Sequence, residues 1–167
     1  AVKDLVHFSA EPLTVVRDAP ENHPHRREYH KPWGLWLSVG EAWAKWCLGE
    51  SFALDALRYV TPILLRADAN VLRLRFASEV AAFGRKYRIA EPRYEDDDSV
   101  DWRRVMREYD GIVIAPYQWS LRHEMMWYYS WDVASGCIWK ARAVERLGDS
   151  LLLDQQLLAE RLQNANA

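Results

Sequence analysis

Residues 131–139 read Trp-Asp-Val-Ala-Ser-Gly-Cys-Ile-Trp, and so place a carboxylate (Asp132), a hydroxyl (Ser135) and a thiol (Cys137) between two indoles. The wider stretch 109–139 holds four of the chain's nine tryptophans. Buried Trp and Tyr must each place an N–H or O–H, so many ring donors beside an acid and a hydroxyl predict a half-buried polar pocket. A tryptophan-rich core whose polar atoms satisfy one another is the ordinary alternative. Cys137 with His123 has the composition of a thiol–imidazole pair, but apolar flanks would keep that thiol protonated. His23, His25 and His30, with Glu21 and Glu28, carry donors suited to zinc. Their spacing is not that of a structured zinc site, so exposed loop histidines are expected. Residues 95–98 with Asp101 offer oxygen ligands for a divalent cation. A solvated acidic run, with Asp98 or Ser99 capping the next helix, is the preferred reading, and no metal is expected.

The elements that must position these groups follow from periodicity. Residues 5–9 (LVHFS) read as a strand with Val6 and Phe8 on one face and His7 and Ser9 on the other. Residues 17–31 hold two prolines, three histidines and mixed charges, which predicts a long surface loop. Residues 33–38 form the next strand, and Ser38-Val39-Gly40-Glu41 matches a capping box leading into a helix whose inner face carries Trp43, Trp46 and Cys47. Residues 59–66 predict a strand interrupted at Pro62. In residues 71–76 a two-residue alternation turns Leu72, Leu74 and Phe76 inward and Arg73 and Arg75 outward. Ser78-Glu79 caps a short helix, and residues 100–109 form another, with Trp102, Val105, Met106 and Tyr109 as its buried stripe. Asp110-Gly111 ends it and the strand 112–114 begins. Beyond Trp139 a Leu-rich helix is expected within residues 150–167, with Leu151, Leu158 and Leu162 on one stripe and a frayed tail. Strands and helices intersperse without regular βαβ alternation, which predicts one α+β domain over residues 1–167.

Composition bounds the function. Half of the 167 residues are apolar, enough for one proper core. A net charge of −2 gives no global pull toward nucleic acid or anionic membrane. The arginines and lysine at 73, 75, 85, 86, 88, 103, 104 and 107 are diluted by acidic neighbours and read as ordinary surface charge. Two isolated cysteines read as reduced core residues, and neither a membrane span nor a basic-then-apolar leader is visible. A cytoplasmic setting without membrane contact is therefore expected.

A strand bearing His7 and Ser9, a loop, a strand bearing Trp36 and Ser38, and a capped helix follow one another in residues 5–48. This order resembles the opening half of mono-ADP-ribosyltransferases of the His-Tyr-acid type, including the small rifamycin-inactivating transferases. Tyr109-Asp110-Gly111-Ile112 is similar to a recurrent run later in that fold, so the resemblance covers roughly residues 5–48 and 100–139. It implies an ADP-ribosyltransferase-like α+β fold with a split mixed or antiparallel sheet and flanking helices.

The resemblance also implies that NAD is the substrate. His7 would then bond the ribose on the adenosine side, and Trp36, where the family usually has Tyr, would stack on nicotinamide. Ser9 and Ser38 would line the cleft or hold its backbone. The family's third element is an acid, and no glutamate falls on the strand expected to bear it. Asp132 takes that place, flanked by Trp131 and Ser135 on a closing strand, with Glu124 as second candidate. Cleaving a nicotinamide–ribose bond passes through an oxocarbenium-like sugar, which calls for a carboxylate, a ring for the leaving base and donors for the ribose. The acceptor stays open among protein, nucleic acid and small molecule. Taken singly, His7 also suits a satisfied strand histidine, Trp36 a core residue, Ser38 an N-cap and Asp132 a turn. Two other readings stand beside the enzyme. One is a non-enzymatic module using an exposed patch of Trp119, Trp127, Tyr128 and Trp131; the other is a transferase fold that has lost its chemistry.

Overall fold

The computed structural model of the chain describes residues 4–22 and 30–165. In chain order the elements are β1 (Leu5–Ser9), β2 (Leu35–Val39), α1 (Ala42–Glu50), β3 (Tyr59–Leu65), β4 (Val71–Leu74), α2 (Ala77–Lys86) and α3 (Trp102–Glu108). They continue with β5 (Gly111–Ile114), α4 (Met126–Tyr129), β6 (Ser135–Ile138), β7 (Val144–Leu147), β8 (Leu151–Leu152) and α5 (Gln155–Ala165). The strands build one mixed sheet in the order β4-β5-β6-β2-β1-β3-β7, with β8 beside β3. Every pair is antiparallel except β4 and β5. The expected α+β class is what the chain forms.

The sheet parts along one line. β1 pairs with β3 over all five residues, whereas β1 and β2 pair only at Leu5↔Val39 and Val6↔Ser38. From His7 onward the two strands separate, and β2 stays with β6 from Leu35↔Ile138 to Ser38↔Ser135.

The apolar clusters follow this parting. One face of the sheet packs Leu5, Leu37, Ile63, Val113 and Ile138 together. The opposite face is covered in two separate pieces. On the β4-β5-β6-β2 side, Leu74, Ile112, Ile114 and Cys137 lie under the aromatic rings of α2, α3 and α4, with Trp36 packed against them. On the β1 side, Phe8 packs with Ala44 and Cys47 of α1 and Leu158 of α5.

Close backbone approach explains two glycines. A Cβ at Gly136 would meet the Ile112 carbonyl oxygen at 2.6 Å, so β5 and β6 need hydrogen at that position. A Cβ at Gly84 would meet Trp127 Nε1 at 2.9 Å; glycine inside α2 costs about 1 kcal/mol of helix propensity but lets the indole in. Gly136→Ala is expected to cost about 1–3 kcal/mol through overpacking and to lower Tm by about 3–10 °C in scanning calorimetry.

Several sequence expectations are corrected. Phe76 lies beyond β4 at the start of α2 and is exposed, and there Glu79 accepts hydrogen bonds from the Arg75 and Phe76 N–H groups. Arg73 is half-buried rather than outward, because its register partner Val113 belongs to the cluster on the first sheet face. The Ser38 hydroxyl does hold the start of α1, accepting from Trp43 N at 3.0 Å, but Glu41 pairs with Arg161 instead of closing the box. β3 runs unbroken through Pro62. Leu151 belongs to β8 rather than to the last helix, and α5 persists to Ala165 where a frayed tail was expected.

The acidic run is also used differently. Asp101 caps α3, while Asp98 reaches across to Met126 N and Trp127 N at the start of α4. Asp97 is buried and accepts hydrogen bonds from Arg93 N and Nε and from Ser99. Burial pushes its carboxyl up, but the bonds from Arg93 and Ser99 outweigh burial and hold it well below the usual carboxylate range. A depressed folded value means that this stability is present above the unfolded pKa of about 4 and is lost as pH falls below it. Asp97→Asn is therefore expected to be less stable than wild type at pH 7. It should also lose less stability on acidification, which urea midpoints at neutral and strongly acid pH will report.

Candidate functional site

A cleft of about 310 Å³ opens where β1 and β2 separate. Its lining includes His7, Trp36, Ser38, Trp131, Asp132 and Ser135, so six of the eight residues singled out from sequence share it. Phe8, Lys31, Trp43 and Val133 complete the main walls.

Each side chain has a local reason for its place. Trp36 pairs with Cys137 on β6, and its carbonyl faces the gap where a β1 partner is missing. His7 Nδ1 fills that vacancy at 2.7 Å from Trp36 O. A carbonyl only accepts, so Nδ1 is the donor of this bond, and in that tautomer Nε2 is an acceptor. Ser38 and Ser135 are cross-strand partners, each bonded to backbone through its hydroxyl.

Trp131 is 1% exposed, stacks on Trp102 at 6.0 Å and meets Trp36 edge-on at 5.1 Å. Its ring N–H has no hydrogen-bond partner among the described residues. Trp131 and Asp132 lie on the turn before β6, not on the strand as expected.

Asp132 is held by a residue that the sequence did not reveal. Arg122 Nη2 lies 3.4 Å from Asp132 Oδ1, with both side chains only 18% exposed. Arg122 is fixed in turn by the Tyr117 hydroxyl at 2.9 Å and by the Tyr129 ring, whose centroid is 4.8 Å from the guanidinium. Across the cleft, burial first and the Asp132 charge second push the Cys47 thiol up to about 11. Burial alone raises Cys137 further, so both thiols stay protonated near neutral pH, as expected for Cys137.

Two expected site residues lie elsewhere. Ser9 ends β1 and bonds the Glu11 carbonyl, because the chain turns away there. Glu124 lies in a separate hollow with Arg85, Arg88 and Met125. The exposed aromatic patch is corrected too: Trp127, Tyr128 and Trp131 are buried in the helical cluster, and only Trp119 of the four is exposed, at 70%.

Trp36 and Lys31 also border a wider recess of about 700 Å³, which adds Arg17, Ala19, His30 and Trp33. Cleft and recess thus share a wall, and the Lys31 ammonium lies 5.6 Å from the Trp36 ring centroid. Comparison with protein-family models, curated proteins and solved structures gives no match.

Among the described residues no group of three or more His, Cys, Asp or Glu could hold a metal ion. His23, His25 and Glu28 of the histidine-rich loop lie outside the described residues. The basic residues do not gather: Arg73 and Arg75, Arg85 and Arg88, and Arg103 and Arg107 line three different hollows. No helix among the described residues is long and apolar enough to cross a membrane.

Proposed function

We propose that the cleft binds NAD as a substrate and that the protein transfers its ADP-ribose to an acceptor, or to water, within an ADP-ribosyltransferase-like fold. One observation carries this reading: an imidazole from β1, an indole from β2 and a carboxylate from the turn before β6 line one cleft where the sheet parts. These are the ribose-holding group, the ring and the charge that the chemistry needs. The cleft has the size of small-ligand sites, and the adjoining recess, with Arg17 and Lys31, extends it toward a diphosphate.

In this scheme nicotinamide packs on Trp36, and His7 Nε2 accepts from a ribose hydroxyl. The bond between the ribose C1′ and the nicotinamide nitrogen breaks, and its electron pair leaves with the base. Positive charge develops on the sugar beside Asp132, whose carboxylate is held and oriented by Arg122. The acceptor or a water then bonds to C1′ and gives up its proton to solvent.

Saturation-transfer NMR with NAD tests the binding step. Wild type is expected to show transfer to the nicotinamide protons, and His7→Ala to lose it. No transfer in wild type overturns the proposal. NAD bound without any nicotinamide released, with or without cell lysate as an acceptor source, would replace the enzyme by an NAD-binding protein.

A further inference from the structure

Behind the cleft, on the other face of the β2–β6 pair, lies a second recess of about 530 Å³. Ser38 and Ser135 face the cleft, while their neighbours Val39 and Ala134 line this recess. Leu5 and Val113 add apolar walls and Tyr117 adds an aromatic ring. Among the described residues its charged lining consists of Arg73 and Arg75.

Arg73 is the residue that needs explaining. Its register partner is Val113, so the strand directs it toward the apolar face that also carries Leu5 and Ile138. The side chain is half-buried and has no acidic or hydrogen-bonding partner among the described residues. A partly desolvated cation without a counter-charge is costly unless something supplies one. Glu79, close by in sequence, already spends one oxygen on the Arg75 and Phe76 N–H groups. The Arg75 side chain is also without a partner among the described residues. Two guanidinium groups at an apolar hollow of this volume suit a ligand with an anionic head and a compact apolar body.

We infer that this recess binds a small organic anion, a phosphate monoester or carboxylate carrying an aromatic or branched body, through Arg73 and Arg75. The inference does not depend on the reading of the cleft. Charges on the edge strand β4 also discourage edge-to-edge pairing. That role alone requires no ligand, and a titration separates the two.

The full chain, labelled with ¹⁵N, is titrated with 1-naphthyl phosphate and, separately, with inorganic phosphate and with 1-naphthol. Naphthyl phosphate is expected to shift the Val39, Val113 and Ala134 amides saturably. The two half-ligands should bind at least about tenfold more weakly, since each forfeits one set of contacts. Arg73→Gln and the exposed Arg75→Gln should each weaken naphthyl phosphate by about tenfold. The second variant guards against a folding defect in the first. Unmoved amides, or equal affinity of both variants and wild type, overturn the inference; so does inorganic phosphate binding as tightly as the aryl ester. A parallel NAD titration, followed at His7 and Ser135, keeps failure at this recess distinct from failure at the cleft.

Discussion

Asp132→Asn is expected to slow nicotinamide release from NAD by about 10²–10³-fold while leaving the NAD dissociation constant nearly unchanged. Asparagine keeps the shape and an acceptor oxygen at this position but removes the charge that, in the proposed scheme, faces the developing sugar cation. Ground-state NAD carries much less positive charge at the ribose, so binding has little to lose. Asp132 and Arg122 are both largely buried, so the charge is weakly screened and its loss should be felt in the rate. The measurement is nicotinamide released per unit time by chromatography, beside an NAD titration on the same samples. A rate equal to wild type would remove Asp132 from the chemistry. Arg122→Gln supplies the companion value. If Arg122 acts only by holding Asp132, adding Arg122→Gln to Asp132→Asn should cost far less than it costs alone.

Trp102→Ala is expected to destabilise the protein by about 3–5 kcal/mol, a large share of the 5–15 kcal/mol typical of a whole domain. Trp102 is fully buried at the start of α3 and packs on Phe83, Trp127 and Trp131. Its removal leaves a hollow that these three neighbouring large rings cannot readily fill. The urea midpoint reports the loss directly. The same change removes the ring stacked behind Trp131, so NAD affinity should fall even where the variant remains folded. Unaltered stability would show that the aromatic cluster can repack around the gap.

How much of this was legible depended on whether the deciding contact was local. The two-residue alternation of residues 5–9 and 71–74 identified strands, and the 3.6-residue spacing found α1 and α3. Alternation also separated the two faces of β4, but it could not say that both are covered. Leu72 and Leu74 therefore went to one core as expected, whereas Arg73 went to the other instead of to solvent. Leu151 fits a helical stripe with Leu158 and Leu162, yet a free strand edge on β3 captured it. Trp127 and Tyr128 sit on a helix of four residues, too short for any period to mark which side is buried.

The site divides in the same way. The order of the His7 strand, the Trp36 strand and the helix after it is written in the sequence, and those elements adjoin. The parting of β1 from β2 is not, since it arises from unequal pairing along two strands far apart in the chain. Nor is the Arg122–Asp132 contact, which joins two turns without regular spacing. Ser9 shared a strand face with His7 on paper, but the chain leaves the sheet at that residue.

The C-terminal helix has a consequence for handling the protein. Leu158 and Leu162 of α5 brace α1, whose Trp43 forms part of the cleft wall, and Arg161 clasps Glu41 at the head of the same helix. Trimming or crowding those closing turns would therefore loosen one jaw of the mouth from behind.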